Sequence, residues 1–106
     1  MIDVSPEQMR IVLDILARRA PGREVRAFGS RVSGKSKPYS DLDLAVLGDE
    51  KMSIREAGLL REAFEDSDLP FRVDVLDWRA IPESFRKVIE SGFEVIQRKD
   101  EKAGEI

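Results

Sequence analysis

Cysteine and histidine are both absent from these 106 residues. Their absence excludes disulfides, Cys/His zinc centres, Ser-His-Asp triads and Cys-His pairs within the chain. Acid-base work or metal binding must fall to carboxylates, lysine, tyrosine or water, a donor set suited to hard ions such as Mg²⁺ or Mn²⁺. No stretch approaches the roughly 18 apolar residues of a membrane span. The opening Met-Ile-Asp-Val-Ser-Pro lacks a basic segment leading into an apolar run, so no signal peptide is predicted and the cytoplasm is the expected compartment. A basic surplus is missing too: 18 Lys and Arg against 21 Asp and Glu leave a net charge of −3, which argues against direct nucleic-acid binding. A chain of this length makes one small domain, burying roughly 65% of its unfolded surface in a single core.

What is present is concentrated between Gly29 and Asp43, G-S-R-V-S-G-K-S-K-P-Y-S-D-L-D. An apolar strand, Val25 to Phe28, runs into Gly29-Ser30. Glycine there lets backbone approach a ligand. Ser30 would open a short helical turn whose N–H groups, with the hydroxyl, suit phosphate oxygens; an ordinary strand-to-helix turn with a serine N-cap is the plain alternative. The loop that follows carries Arg31, Lys35 and Lys37 and no acid, as a solvated surface or as the flank of a polyphosphate. Tyr39 would pack over the loop or stack on a base, and Ser40 would orient Asp41. On the strand Asp41 to Leu47, Leu42, Leu44 and Val46 share one face; Asp41, Asp43, Ala45 and Leu47 share the other. The two carboxylates then point the same way about 7 Å apart. A solvated strand end explains such a pair, and so does a divalent metal that relieves their repulsion.

The remaining segments read as scaffold. Ser5-Pro6-Glu7-Gln8 is a capping box opening a helix, with Met9, Val12, Leu13 and Leu16 turned inward and Pro21-Gly22 ending it. Ser53-Ile54-Arg55-Glu56 is a second capping box, and Ala57, Leu59, Leu60, Ala63 and Phe64 supply that helix's core face. Phe71 to Leu76 is a strand with Asp74 in its middle, where a carboxylate needs a partner: an arginine, a hydroxyl, or a metal shared with Asp41 and Asp43. Asp77 reads as a cap, and Trp78 as a core or partner contact. A last helix starts at Pro82-Glu83 with Phe85, Val88 and Ile89 inward, followed by a strand from Phe93 to Ile96. The expected layout is one domain over 1–97 and a charged, frayed tail over 98–106.

Gly29-Ser30, a ten-residue gap, Asp41-x-Asp43 and a later strand aspartate, Asp74, together resemble the nucleotidyltransferase superfamily that includes DNA polymerase beta. The local form G-S-R-V-S-G…Y-S-D-L-D-L-A-V looks like its minimal nucleotidyltransferases, and the resemblance spans nearly the whole chain. It implies an α/β fold with a short mixed sheet flanked by helices. It implies two Mg²⁺ ions (Mn²⁺ as the alternative) held mainly by Asp41 and Asp43, with Asp74 helping at the acceptor hydroxyl and able to take its proton. Gly29 and Ser30 would cradle the terminal phosphates of ATP or another nucleoside triphosphate, and Arg31 or Lys35 would neutralise them. The minimal family is similar to antitoxins paired with HEPN-domain toxins, which implies AMP transfer to a tyrosine of such a partner. Two other readings are a non-catalytic module that neutralises a toxin by binding, and a small-molecule (antibiotic) nucleotidyltransferase.

Overall fold

Four strands and four helices account for residues 2–99, the part of the chain that the computed structural model describes. Both capping boxes form as read. Ser5 accepts from the Gln8 N–H and Gln8 returns a bond to the Ser5 backbone, opening α1, Pro6–Arg19; Ser53 and Glu56 do the same for α3, Ile54–Glu65. Between them lie β1, Val25–Phe28, the one-turn helix α2, Ser30–Ser33, and β2, Leu42–Val46. Then come β3, Val73–Asp77, a 3₁₀ turn at Trp78–Ala80, α4, Glu83–Glu90, and β4, Phe93–Gln97. The cap expected at Asp77 forms: its carboxylate accepts from the Arg79 N–H at 3.0 Å and from the Met52 N–H at 2.8 Å.

The sheet is mixed, in the order β3-β2-β1-β4. β1 pairs antiparallel with β2 and β4, and β2 pairs parallel with β3. Strand alternation therefore divides the sheet into two unlike faces. Val25, Ala27, Leu42, Leu44, Val46 and Val75 join Val12, Ile15 and Leu16 of α1 and Leu60 and Phe64 of α3 in one apolar core. The other face carries Arg26, Phe28, Asp43, Ala45, Asp74 and Leu76, as the register dictates. Over part of it lie α4 and the 3₁₀ turn: Phe85 meets Phe28 edge to face at 6.1 Å, and the Arg26 guanidinium sits 4.4 Å from the Phe93 ring and 5.0 Å from the Trp78 ring.

Two helix faces differ from expectation. In α1, Leu13 is 37% exposed and Ile15 takes the buried place. Ile11, Val12, Leu13, Ile15 and Leu16 offer more than one apolar stripe at helical spacing, and the stripe that continues to Ala20 is the one that meets the sheet. In α4, Ile89 is buried while Val88 faces solvent; the inward stripe runs through Ile89 and Phe85, four residues apart, with Phe85 against Phe28. Of the tail, Lys99 pairs with Asp49 at 3.6 Å, and 100–106 lie outside the described residues.

Candidate active site

The carboxylates meet at the β2–β3 end of the second sheet face. β2 and β3 run parallel in a register that sets Asp43 beside Asp74. Asp41 lies two residues before Asp43 at the mouth of β2, where the Leu42 N–H bonds to the Arg72 carbonyl at 2.9 Å. On the other side of Asp43 stands the end of β1, with Phe28 opposite it. The chain then turns at Gly29, φ 85° and ψ −159°, a backbone conformation open essentially only to glycine. A Cβ at Gly29 would collide with the Asp43 carboxylate and lie 3.2 Å from its Cγ. The glycine is thus required twice, for its dihedrals and for the room it leaves Asp43.

This crowding shows in the protonation of Asp43. Burial, then the neighbouring charges of Asp74 and Asp41, push its carboxyl up from 3.8 to about 6, while Arg72 pulls the other way. Three acids in mutual electrostatic reach fit a divalent cation, which relieves the repulsion that raises Asp43. Among the described residues no three His, Cys, Asp or Glu side chains close a cage by themselves. An open carboxylate set suits Mg²⁺, which keeps waters and substrate phosphates among its ligands.

The phosphate-side residues divide. Gly29, and not Ser30, is the N-cap of α2, without a side-chain cap bond, and Ser30 is the first helical residue. The serine hydroxyl is therefore not consumed as the cap. Lys35 is exposed beyond the left-handed Gly34. Arg31 is elsewhere occupied: it is 5% exposed, and its guanidinium donates to the carbonyls of Ser40 (2.9 Å), Asp3 (2.6 Å), Pro38 (3.0 Å) and, more weakly, Lys37 (3.4 Å). Its carbon lies 4.2 Å from the centre of the Phe71 ring. Expected to neutralise phosphate, Arg31 instead holds the loop before Asp41 in shape. Ser40 closes the same loop, its hydroxyl accepting from the Lys37 N–H at 2.8 Å, and so serves the turn where an orienting bond to Asp41 was expected. Tyr39 is 87% exposed and packs on nothing in the loop.

One residue at the site was not singled out from the sequence. Arg72 reaches across to Asp41, Nη2 to Oδ2 at 3.4 Å. The signal was available in R-V-D, which puts Arg72 and Asp74 on one side of a strand. A surface cleft beside β3 runs from Asp74 and Arg72 to Phe71, Leu69 and Arg61.

A glycine-lined turn facing strand carboxylates on a mixed α/β sheet defines the nucleotidyltransferase class. The family model described as "Polymerase beta, Nucleotidyltransferase" matches residues 13–102, and the chain belongs to that family. Enzymes of this family generally use a divalent metal. Over 99 residues, 93% of this chain and 87% of the relative, it is 48% identical to a Haemophilus influenzae protein named "Probable protein adenylyltransferase MntA". Its fold matches a toxin–antitoxin crystal structure with AMP-PNP (TM-score 0.72, 20% identity, 89% of this chain and 76% of the other). It also matches a complex of a tri-AMPylated Shewanella oneidensis HEPN toxin with its MNT antitoxin (TM-score 0.65, 18% identity, 92% and 75%). Among the described residues no helix is long and apolar enough to cross a membrane.

Proposed function

We propose that this chain is a protein adenylyltransferase that acts as an antitoxin, moving AMP from ATP onto a tyrosine hydroxyl of a HEPN-domain toxin in the cytoplasm. The observation that carries this reading is the 48% identity, along 93% of the chain, to the relative named as a protein adenylyltransferase. Residues 1–97 form the catalytic unit. Asp41, Asp43 and Asp74 are its catalytic carboxylates and the ligands of two Mg²⁺ ions, with Mn²⁺ as a substitute. Bound there, the metal supplies charge for the phosphates and lowers the pKa of the attacking hydroxyl. Gly29 and Ser30 line the phosphates: the first N–H groups of α2 have no acceptor within the helix, and the Ser30 hydroxyl adds a donor. Lys35 lies exposed on the loop that follows, as a further cation.

The transfer balances simply. The acceptor oxygen attacks the α-phosphorus, the bond from that phosphorus to the bridging oxygen of the β-phosphate breaks, and pyrophosphate leaves. Asp74 takes the hydroxyl proton and passes it to water. The test is incubation of the purified protein and its toxin partner with labelled ATP and Mg²⁺. Label on the partner that disappears with Asp41→Asn/Asp43→Asn supports the reading. Absence of transfer by the native protein, with toxin neutralised equally by the double variant, would replace it with neutralisation by binding. Label on an added aminoglycoside, and none on the toxin, would replace it with antibiotic modification.

A further inference from the structure

Beside the three acids of the site stands the guanidinium of Arg72. Arg72 immediately precedes β3, two residues before Asp74, and its only ion pair among the described residues is with Asp41, at 3.4 Å. Both partners are open to water, with the Arg72 side chain 73% and the Asp41 side chain 41% exposed. An ion pair of that exposure is weak and easily exchanged. It contrasts with Arg31, whose buried guanidinium is held by backbone carbonyls and has no freedom to turn toward a ligand. Backbone geometry fixes where Arg72 starts: its carbonyl accepts the Leu42 N–H, so Cα of Arg72 stays beside the mouth of β2 whatever the side chain does.

We infer that Arg72 is an exchangeable counter-cation of the site, paired with Asp41 when no metal is bound and transferred to the phosphates of the nucleotide when metal takes Asp41. The inference rests on the nucleotide-and-metal reading of Asp41, Asp43 and Asp74 given above. Its logic is competition. A cation on Asp41 Oδ2 occupies an oxygen that a metal would use, and its charge opposes a second cation nearby. Once the metal is seated, Asp41 no longer needs the guanidinium. Arg72 then has a long, exposed side chain and a planar fork of donors suited to phosphate oxygens. The phosphate-neutralising part first read for Arg31 or Lys35 passes to the residue at the entrance to β3. Arg72 is a positioning residue for Asp41 in the metal-free site and a ligand-binding residue in the loaded one.

Such an exchange predicts opposite shifts for two ligands, which loss of a structural contact does not produce. Mn²⁺ alone, followed by paramagnetic resonance, and Mn²⁺ with α,β-methylene-ATP, followed by calorimetry, are titrated into native protein, Arg72→Ala, Arg72→Lys and Arg55→Ala. Arg55 lies on α3 and controls for net charge. The expected result for Arg72→Ala is metal alone bound at least threefold tighter and the metal–nucleotide complex bound about tenfold weaker. Arg72→Lys should fall between native and alanine in both titrations, and Arg55→Ala should leave both unchanged. Weakening of both ligands together, or no change in either, overturns the exchange. Equal tightening of metal by Arg55→Ala also overturns it, since net charge alone would then account for the effect. Failure of the native protein to bind metal–nucleotide overturns both this inference and the proposed function; native binding with unshifted Arg72 variants overturns this inference alone.

Discussion

Replacing Asp43 by asparagine should make the metal-free protein more stable while removing its transfer activity. In the native protein the Asp43 carboxyl is raised from 3.8 to about 6 by burial and by Asp74 and Asp41. A carboxyl that binds its proton more tightly in the folded state stabilises that state when protonated. The contribution is fully present below pH 4 and is lost as pH rises through about 6. Above that pH the penalty of holding the charge has a ceiling of about 3 kcal/mol from the displacement of the pKa. Asp43 is half-buried, so solvent screening brings the figure to about 1–2 kcal/mol. Asparagine keeps the shape and is neutral at every pH, so it escapes the penalty. For a domain near 100 residues this gain corresponds to a rise in Tm of about 5–10 °C. The assay is thermal unfolding followed by circular dichroism in EDTA at pH 7.5 and at pH 4, where the two proteins should converge. An Asp43→Asn protein that melts below the native one at pH 7.5, or a gain of the same size at pH 4, would refute the electrostatic account of the site.

Gly29→Ala should lose about 1–3 kcal/mol from backbone strain alone, visible as a lower midpoint in urea. It should also lose Mn²⁺ binding beyond what the lowered stability explains, because the new methyl displaces the Asp43 carboxylate; unchanged metal affinity would show that Asp43 tolerates displacement. Arg31→Met should cost about 3 kcal/mol or more by leaving the carbonyls of Asp3, Pro38 and Ser40 without their donor. Limited trypsin digestion should then cut faster at Lys35 and Lys37, whereas a phosphate-binding role alone would lower nucleotide affinity without changing the digestion.

Local signals were legible where chemistry is local. Both capping boxes, the strand before Gly29, the alternation that buries Leu42, Leu44 and Val46, and Asp77 as a cap all depend on residues within four positions of one another. The placement of Asp74 beside Asp43 depends on strand pairing across some thirty residues. No periodicity states that register; only the resemblance to a known family brought the three aspartates together. Arg31 shows the other limit. An arginine between a glycine-serine turn and a basic loop looks like a ligand-binding cation until the loop's backbone folds back over it, and the acceptors it finds are main-chain carbonyls that any residue would supply. Leu13 and Val88 show a third, since a helix with apolar residues on several stripes does not say which will meet the sheet.

Because Arg31 grips carbonyl oxygens, the conformation of the segment from 37 to 40 is dictated by a residue that lies outside it. Main-chain oxygens are common to every amino acid, so shape and surface chemistry are separately adjustable there. Exposed Lys35, Lys37 and Tyr39 can be exchanged for other side chains with the scaffold kept in place. A rim of this kind, next to the carboxylates, is where a lineage of such proteins can retune its choice of partner without disturbing the chemistry beneath.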